Sequence, residues 1–444
     1  MNRQGATCKG LDKRVRVLRL GQVDDPRQQG KVKLPLPTVL TALIAAMVTK
    51  ARSLRVVEQR TEQMARKVGA WLGINERIAD NTFGKVLYRL RISQLLRCLH
   101  RLIKAEHRRG NLKPTRLEMG AVAIDGKNVA TLRWHDLCRV LELDRNEATF
   151  EQLKALLAER YPEAQLCQPD DGMPYALMRV HTVTLISSAA AVCIHQRPIP
   201  GCTNENGALP DVLSELKAVY NRLRLFTLVV TDAGNTSLKA ATKIIEATWN
   251  YFAQIKSVHG ELYAEAVRAL GKRRKARAHA SYADKQNGQM VTYHLWRYDL
   301  TSHGWLGWVH ARQLVRIQRT TEDPDTGKVV SVGNRYYVTS LPVDKMSPLQ
   351  ALAASRAYWR CENEGHWTSD AELQEDRCRH AWSRHPHGVL AVSVIRMIAQ
   401  AILAVARRLS RFGHSRETPS WTQVAEHFML QLCGSILRTE AFDT

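Results

Sequence analysis

The chain has 444 residues, 45% of them hydrophobic, and carries 65 Lys and Arg against 42 Asp and Glu, for a formal charge of +23 and a pI near 9.9. That length supports two or three domains with sizeable cores, and the apolar content excludes a chain disordered throughout. The positive excess points to a polyanionic partner, nucleic acid first and an anionic membrane surface second.

Residues 1–30 are basic and polar and are expected to form a flexible tail with no apolar core for a signal peptide. Residues 31–115 read as an all-helical N-terminal domain. Its helices are PTVLTALIAAMVTKA, SLRVVEQRTEQMARKVGAWLG and a long basic one from Asn81, with Asp80 and Asn81 as candidate N-caps. Such a module binds DNA ends or serves as a packing or dimerisation bundle. Two apolar runs, near residue 40 and from Gly388, are read as buried helices; the first is too short to span a bilayer and the second carries Arg396 and Gln400.

At Met119 the pattern changes. MGAVAIDGKNVATL reads as a buried strand ending in Asp125 and a turn. Residues 134–172 form an insert with nine acids against four bases, expected to point away from a polyanion. Two strands follow, then helix ALPDVLSELKAVYNR, strand LFTLVVTDAG ending near Asp232, a helix, strand YFAQIKS and a helix with a very basic end. Three strands, helix, strand, helix, strand, helix is the order of an RNase H-like α/β domain, placed at 116–286 and resumed at 345–412 around a β-rich insertion at 287–344. Residues 413–444 are a C-terminal segment.

Nine cysteines lie singly with no C-x-x-C pair, which argues against a disulfide framework. Cys378, His380, His385 and His387 lie close in sequence, but their spacing matches no compact structural zinc site, and buried thiols with surface histidines are the preferred reading.

The chemistry rests on carboxylates. Asp125 and Asp232 each end an apolar strand, at the sheet rim where α/β folds place active sites; the alternative for each is a turn-forming Asp. Two-metal phosphoryl transfer needs a third acid. The stretch RAYWRCENEGHWTSDAELQEDRCRH, from Arg356 to His380, is its source. On one continuous α-helix, at about 100° per residue, Glu362 and His366 share a face rimmed by aromatics.

These residues carry a resemblance. The chain is similar to DDE transposases of the ISAs1 family, within the IS4-like group, over about residues 35–410. Arg356, Trp359, Glu362, Asn363, His366, Trp367, Asp370, Glu375 and Asp376 match the spacing of the family's helix motif, and IDGK and TDAG match its two Asp motifs. Tyr358 replaces the usual His, Ser237 the usual Gln, and the acidic insert is a departure. The resemblance implies a catalytic and metal-binding triad of Asp125, Asp232 and Glu362, separated by 107 and then 130 residues, holding two Mg2+ ions for which Mn2+ substitutes. It further implies double-stranded DNA as partner (element ends and target), a homodimer on DNA, no membrane, and a bacterial, cytoplasmic, nucleoid-associated setting.

DNA contacts are expected from Lys127, Lys256, Arg356, Asn363 and His366, and from Lys272, Arg273, Arg274 and Lys275 in the basic run. Trp359, Trp367, Trp305 and Trp308 either stack on a displaced base or pack the core. Glu375 and Asp376 match the family with no role derived. The competing expectations are a stand-alone nuclease and a catalytically silent DNA-binding descendant.

Overall fold

The computed structural model describes residues 4–272, 277–302, 306–375, 384–409 and 418–434. They form a mixed α/β fold with a large mixed sheet and many helices. The N-terminal part contains α1 (Gln4–Leu18), α2 (Leu36–Val48), α3 (Leu54–Leu72), α4 (Asp80–Leu87) and α5 (Ile92–Arg108). The expected flexible tail is therefore corrected: α1 buries Leu11, Val15 and Leu18, which recur at helical spacing among charged neighbours. The long third helix is two, α4 and α5, and α4 is preceded by Ala79 with no side-chain cap, so neither Asp80 nor Asn81 is its N-cap. By contrast Ser53 caps α3, accepting from the Val56 N–H, and Gly73 ends it at φ +68°, a left-handed position suited to glycine.

The central sheet is built around β1 (Ala121–Arg133). It pairs antiparallel with β3 (Tyr175–Leu185) and parallel with β5 (Leu228–Thr231), which pairs parallel with β6 (Asn250–Ile255). Beyond β3 lie β2 (Ala164–Cys167) and β4 (Val192–Pro198), each antiparallel to a different half of it. The insertion contributes β7 (Ala280–Gln286), β8 (Gln289–Asp299), β9 (Gln313–Glu322) and β10 (Val329–Thr339). These strands extend the same sheet, β10 pairing antiparallel with β6, so the order is β2-β3-β1-β5-β6-β10-β9-β8-β7.

Alternation along β1 builds two layers. Val122 and Ile124 face a large core, whereas Ala121 and Ala123 face the opposite one. The first core takes in α1–α5, α8 (Glu205–Tyr220), α9 (Leu238–Glu246), α10 (Gly260–Leu270), α12 (Pro386–Leu409) and α13 (Trp421–Cys433). The N-terminal helices and this face of the sheet thus share one continuous apolar core among the described residues. Both apolar runs are buried helices: α2 is buried at every position from Val39 to Val48, and α12, long and apolar enough to cross a membrane, is packed inside the protein. The acidic insert supplies α6 (Trp134–Leu141), α7 (Phe150–Arg160) and β2, packed in a small core on the far end of the antiparallel β1–β3 pair.

The other face carries α11 (Pro348–Tyr358), started by Ser347 and Gln350 capping each other's backbone N–H groups. Among the described residues, the one long α-helix expected from Arg356 does not continue past Tyr358. After α11 the chain widens into π-helical turns over Cys361–His366 and Thr368–Glu372. Inserted wide turns of this kind recur at functional sites.

Candidate active site

Register positions the first two acids. Ile124 of β1 pairs with Thr231 of β5, so Asp125 and Asp232 leave the last shared rung side by side. The sequence reading of Asp125 as a strand end before a turn is corrected: β1 continues through Gly126 to Arg133, opposite β3. The rim is real but belongs to β5, which stops where β1 runs on.

Asp232 is held locally. Its carboxylate accepts from the Asn235 backbone N–H at 2.9 Å and from the Asn235 side-chain amide at 3.0 Å. That amide also reaches Glu205 at 3.5 Å. His181 Nε2 lies 3.3 Å from Asn235 Oδ1. With Asn235 Nδ2 directed at two carboxylates, its Oδ1 is the acceptor, which makes His181 the Nε2–H donor. Burial pushes the His181 imidazole down to about 4, consistent with this neutral form.

Asp125 sits at the focus. Its side chain is 17% exposed and takes the Gly126 N–H at 3.0 Å. Burial first, then the charges of Asp232, Glu362 and Glu205, push its carboxyl up to about 7, against a hydrogen bond from Tyr358. Glu362, from the first wide turn, is raised by burial and by Asp232, against Arg335. The three expected acids are therefore brought close enough to act on one another electrostatically. Among the described residues no ion pair joins Asp232, Glu362 or Glu205 to a basic side chain. Like charges gathered at such a site call for cations, and an all-carboxylate donor set suits hard ions such as Mg2+ or Mn2+.

A softer set overlaps it. Asp125, Cys361 and His366 place donor atoms within 4.8 Å of one another. Cys361 is fully buried with its thiol pushed well up by burial, so it lacks the thiolate that binds metals well. His366 is turned inward, its Nε2 2.7 Å from Thr182 Oγ1 and its Nδ1 3.7 Å from Asp125, and burial pushes it down to about 4. It contacts the carboxylate centre instead of the flanking phosphate expected of it.

Lys127 is likewise corrected as a phosphate contact. Its side chain is 8% exposed and its Nζ is 2.6 Å from Asp370 and 2.7 Å from Glu375. Alternation along β1 leaves it on the same face as Asp125, but these two carboxylates occupy its ammonium there. This gives Glu375 the role missing from the sequence: Glu375 also meets Arg396 of α12 at 3.3 Å, pinning the wide-turn segment to β1 and α12.

Arg356 pairs with Asp284 at 3.0 Å and lies over the Tyr282 ring at 4.0 Å, which ties α11 to β7. It lines a cleft of about 580 Å³ with Tyr293, Arg319, Arg335, Trp359 and Asn363. Arg335 covers the Trp359 ring at 4.7 Å and acts on Glu362, so this cleft opens beside the third acid. Lys256 is exposed just past β6, and Lys272 just past α10. Trp367 is 53% exposed, whereas Trp308 packs against the main core. Arg273, Arg274, Lys275, Trp305, Asp376, Cys378 and His380 lie outside the described residues. Of the histidines weighed for zinc, His385 stacks on Tyr88 and His387 pairs with Glu163.

Sequence reasoning missed Glu205, Asn235, Thr182 and Arg335. Glu205 had one available signal: it opens α8 directly after the N-cap Asn204, at the sheet end that carries Asp232.

The fold and site together define a mixed α/β protein with a carboxylate centre at the rim of its sheet. No protein-family model matches the chain, and no curated protein matches it. Among solved structures, a piggyBac transposase synaptic complex with hairpin DNA, seen by cryo-EM, aligns with 96% of this chain and 76% of that one, at 10% identity and a TM-score of 0.41. A likeness at that level carries no argument about fold or activity.

Proposed function

We propose that this chain is a DDE transposase of an insertion sequence, with a sequence resemblance to the ISAs1 motif, cutting and joining DNA strands by metal-dependent phosphoryl transfer. The observation that carries the reading is the convergence of Asp125, Asp232 and Glu362 from three separated chain segments on one sheet rim. The β4-β3-β1-β5-β6 order, antiparallel on one side of β1 and parallel on the other, supports an RNase H-like core. The insertion of β7–β10 before α11 supports the IS4-like comparison made from the motif.

Asp125, Asp232 and Glu362 are the residues that would hold two Mg2+ ions. Bound Mg2+ supplies Lewis-acid activation of the attacking water or 3′-OH and stabilises the leaving oxygen. The chain's own residues prepare that site. The Gly126 N–H and the Tyr358 hydroxyl orient Asp125, and Asn235 orients Asp232. The Arg319, Arg335 and Arg356 cleft beside Glu362 would receive DNA phosphates, with Asn363 and Trp359 on its wall. The +23 charge, including Lys256 and the basic run from Lys272, would gather double-stranded DNA along its backbone. Two ends must be paired, so a homodimer on DNA follows from the reading.

The test is Mg2+- or Mn2+-dependent cleavage of DNA carrying the element's ends. Asp125→Asn, Asp232→Asn and Glu362→Gln should each abolish cutting while still binding DNA. Cutting by all three at the parent rate overturns the assignment.

A further inference from the structure

We propose that Glu205 is a fourth carboxylate ligand of the centre, holding a hard divalent cation together with Asp125 and Asp232, and that Gly126 is glycine to leave room for it. The inference rests on the metal-dependent reading above and adds a residue that reading does not contain.

The first observation is a close approach. A Cβ added at Gly126 would lie 2.2 Å from Glu205 Cδ and Oε1 and 2.6 Å from Oε2. The carboxylate therefore occupies the space over the backbone immediately after Asp125, where any other residue would put its side chain. Nothing about the strand demands glycine there, since Gly126 is not among the positive-φ glycines. The demand comes from the neighbour.

The second observation is direction. A glutamate in the first turn of a helix has a standing reason to exist, because it complements the positive helix end. That role is met with the side chain in solvent. Glu205 instead crosses from α8 to β1 and shares the Asn235 amide with Asp232, at 3.5 and 3.0 Å. Asn235 is fully buried and its orientation is fixed from behind by His181. One amide thus sets the spacing of two carboxylates. The donors are all oxygen, the set preferred by Mg2+ and Mn2+ over softer ions.

Gly126 offers a test that preserves charge. In Gly126→Ala the three atoms nearest the new methyl all belong to the far end of the flexible Glu205 side chain, so Glu205 is displaced while every carboxylate remains. Mn2+ binding to the full-length, DNA-free protein would be followed by electron paramagnetic resonance and calorimetry, for the parent, Glu205→Gln, Gly126→Ala and Asp125→Asn. Thermal unfolding without metal would show that each variant is folded. Glu205→Gln and Gly126→Ala should both weaken Mn2+ binding, by about tenfold or more. If only Glu205→Gln weakens it, Glu205 acts through charge alone and the ligand assignment is overturned. If both bind as the parent does while Asp125→Asn loses Mn2+, Glu205 is not a ligand but the metal-dependent reading stands. If Asp125→Asn also binds as the parent does, that reading falls and the assignment of Glu205 with it. Should Gly126→Ala fail to fold, Glu205→Asp takes its place: it keeps the charge but retracts the carboxylate, and parent-like binding overturns the assignment.

Discussion

Lys127 and Glu375 meet at 2.7 Å with their side chains 8% and 5% exposed, 248 residues apart in the chain. Burial alone would raise the Glu375 carboxyl, but Lys127 and Arg396 outweigh it and hold it below its usual value. Burial would likewise lower Lys127, and Glu375 and Asp370 outweigh it. Both groups are therefore charged, and their pairing joins the strand of Asp125 to the segment of Glu362.

Lys127→Met should destabilise the fold by about 3–5 kcal/mol, because it strips a buried carboxylate of its principal cation. Thermal unfolding measures this. The double variant Lys127→Met with Glu375→Leu should lose much less than the sum of the single losses. A lysine acting on DNA would give the opposite pattern: an unchanged melting temperature and weaker DNA binding.

Asp125 predicts a pH dependence. Its folded carboxyl is pushed up to about 7 from an ordinary 3.8. A group raised on folding contributes its full stability below the unfolded value and loses it as pH rises through the folded one. Without metal, the melting temperature of the parent relative to Asp125→Asn should therefore fall between about pH 4 and pH 7 and level off above. The span corresponds to about 4 kcal/mol at most. A pH-independent difference between the two proteins counts against a raised Asp125.

How the site could be read from sequence depends on distance along the chain. Asp125 and Asp232 were visible because each follows a short apolar run, and fold order put both runs in one sheet. Glu362 was legible as the third acid from a helical face and from its motif, but not its local geometry, since wide turns have no propensity signature and an ideal α-helix predicts the wrong advance per residue. Lys127 was misread because its partners are 243 and 248 residues away, and nothing local announces them. Glu205 was missed for the converse reason: an acid opening a helix already has a local explanation. The same concealment hid α1, whose Leu11, Val15 and Leu18 stripe is narrow among basic residues.

The tryptophans separate by what they touch. Trp308 packs against the main core, so Trp308→Ala should lower the melting temperature by the equivalent of about 2 kcal/mol or more. Trp367 is 53% exposed, and Trp367→Ala should change stability by less than about 1 kcal/mol. If Trp367 stacks on DNA, its loss should weaken single-strand binding by about 1–3 kcal/mol. Equal melting temperatures for the two variants would contradict the packing described.

Arg335 and Arg356 share a cleft but are held differently, and salt dependence distinguishes them. Arg356 is tied to Asp284 and lies over Tyr282, so Arg356→Ala should loosen β7 from α11 and lower thermal stability as well as DNA affinity. Arg335 lies over Trp359, on the wall nearest Glu362. A guanidinium that neutralises one DNA phosphate adds about 0.9 to the slope of log affinity against log salt. Arg335→Ala should therefore flatten that slope by about 0.9 while weakening binding to all sequences alike. The measurement is a titration of end-bearing and unrelated duplexes from about 50 to 200 mM salt. An unchanged slope would show that the cleft does not take a phosphate at Arg335; a loss confined to end-bearing DNA would show that this arginine reads bases.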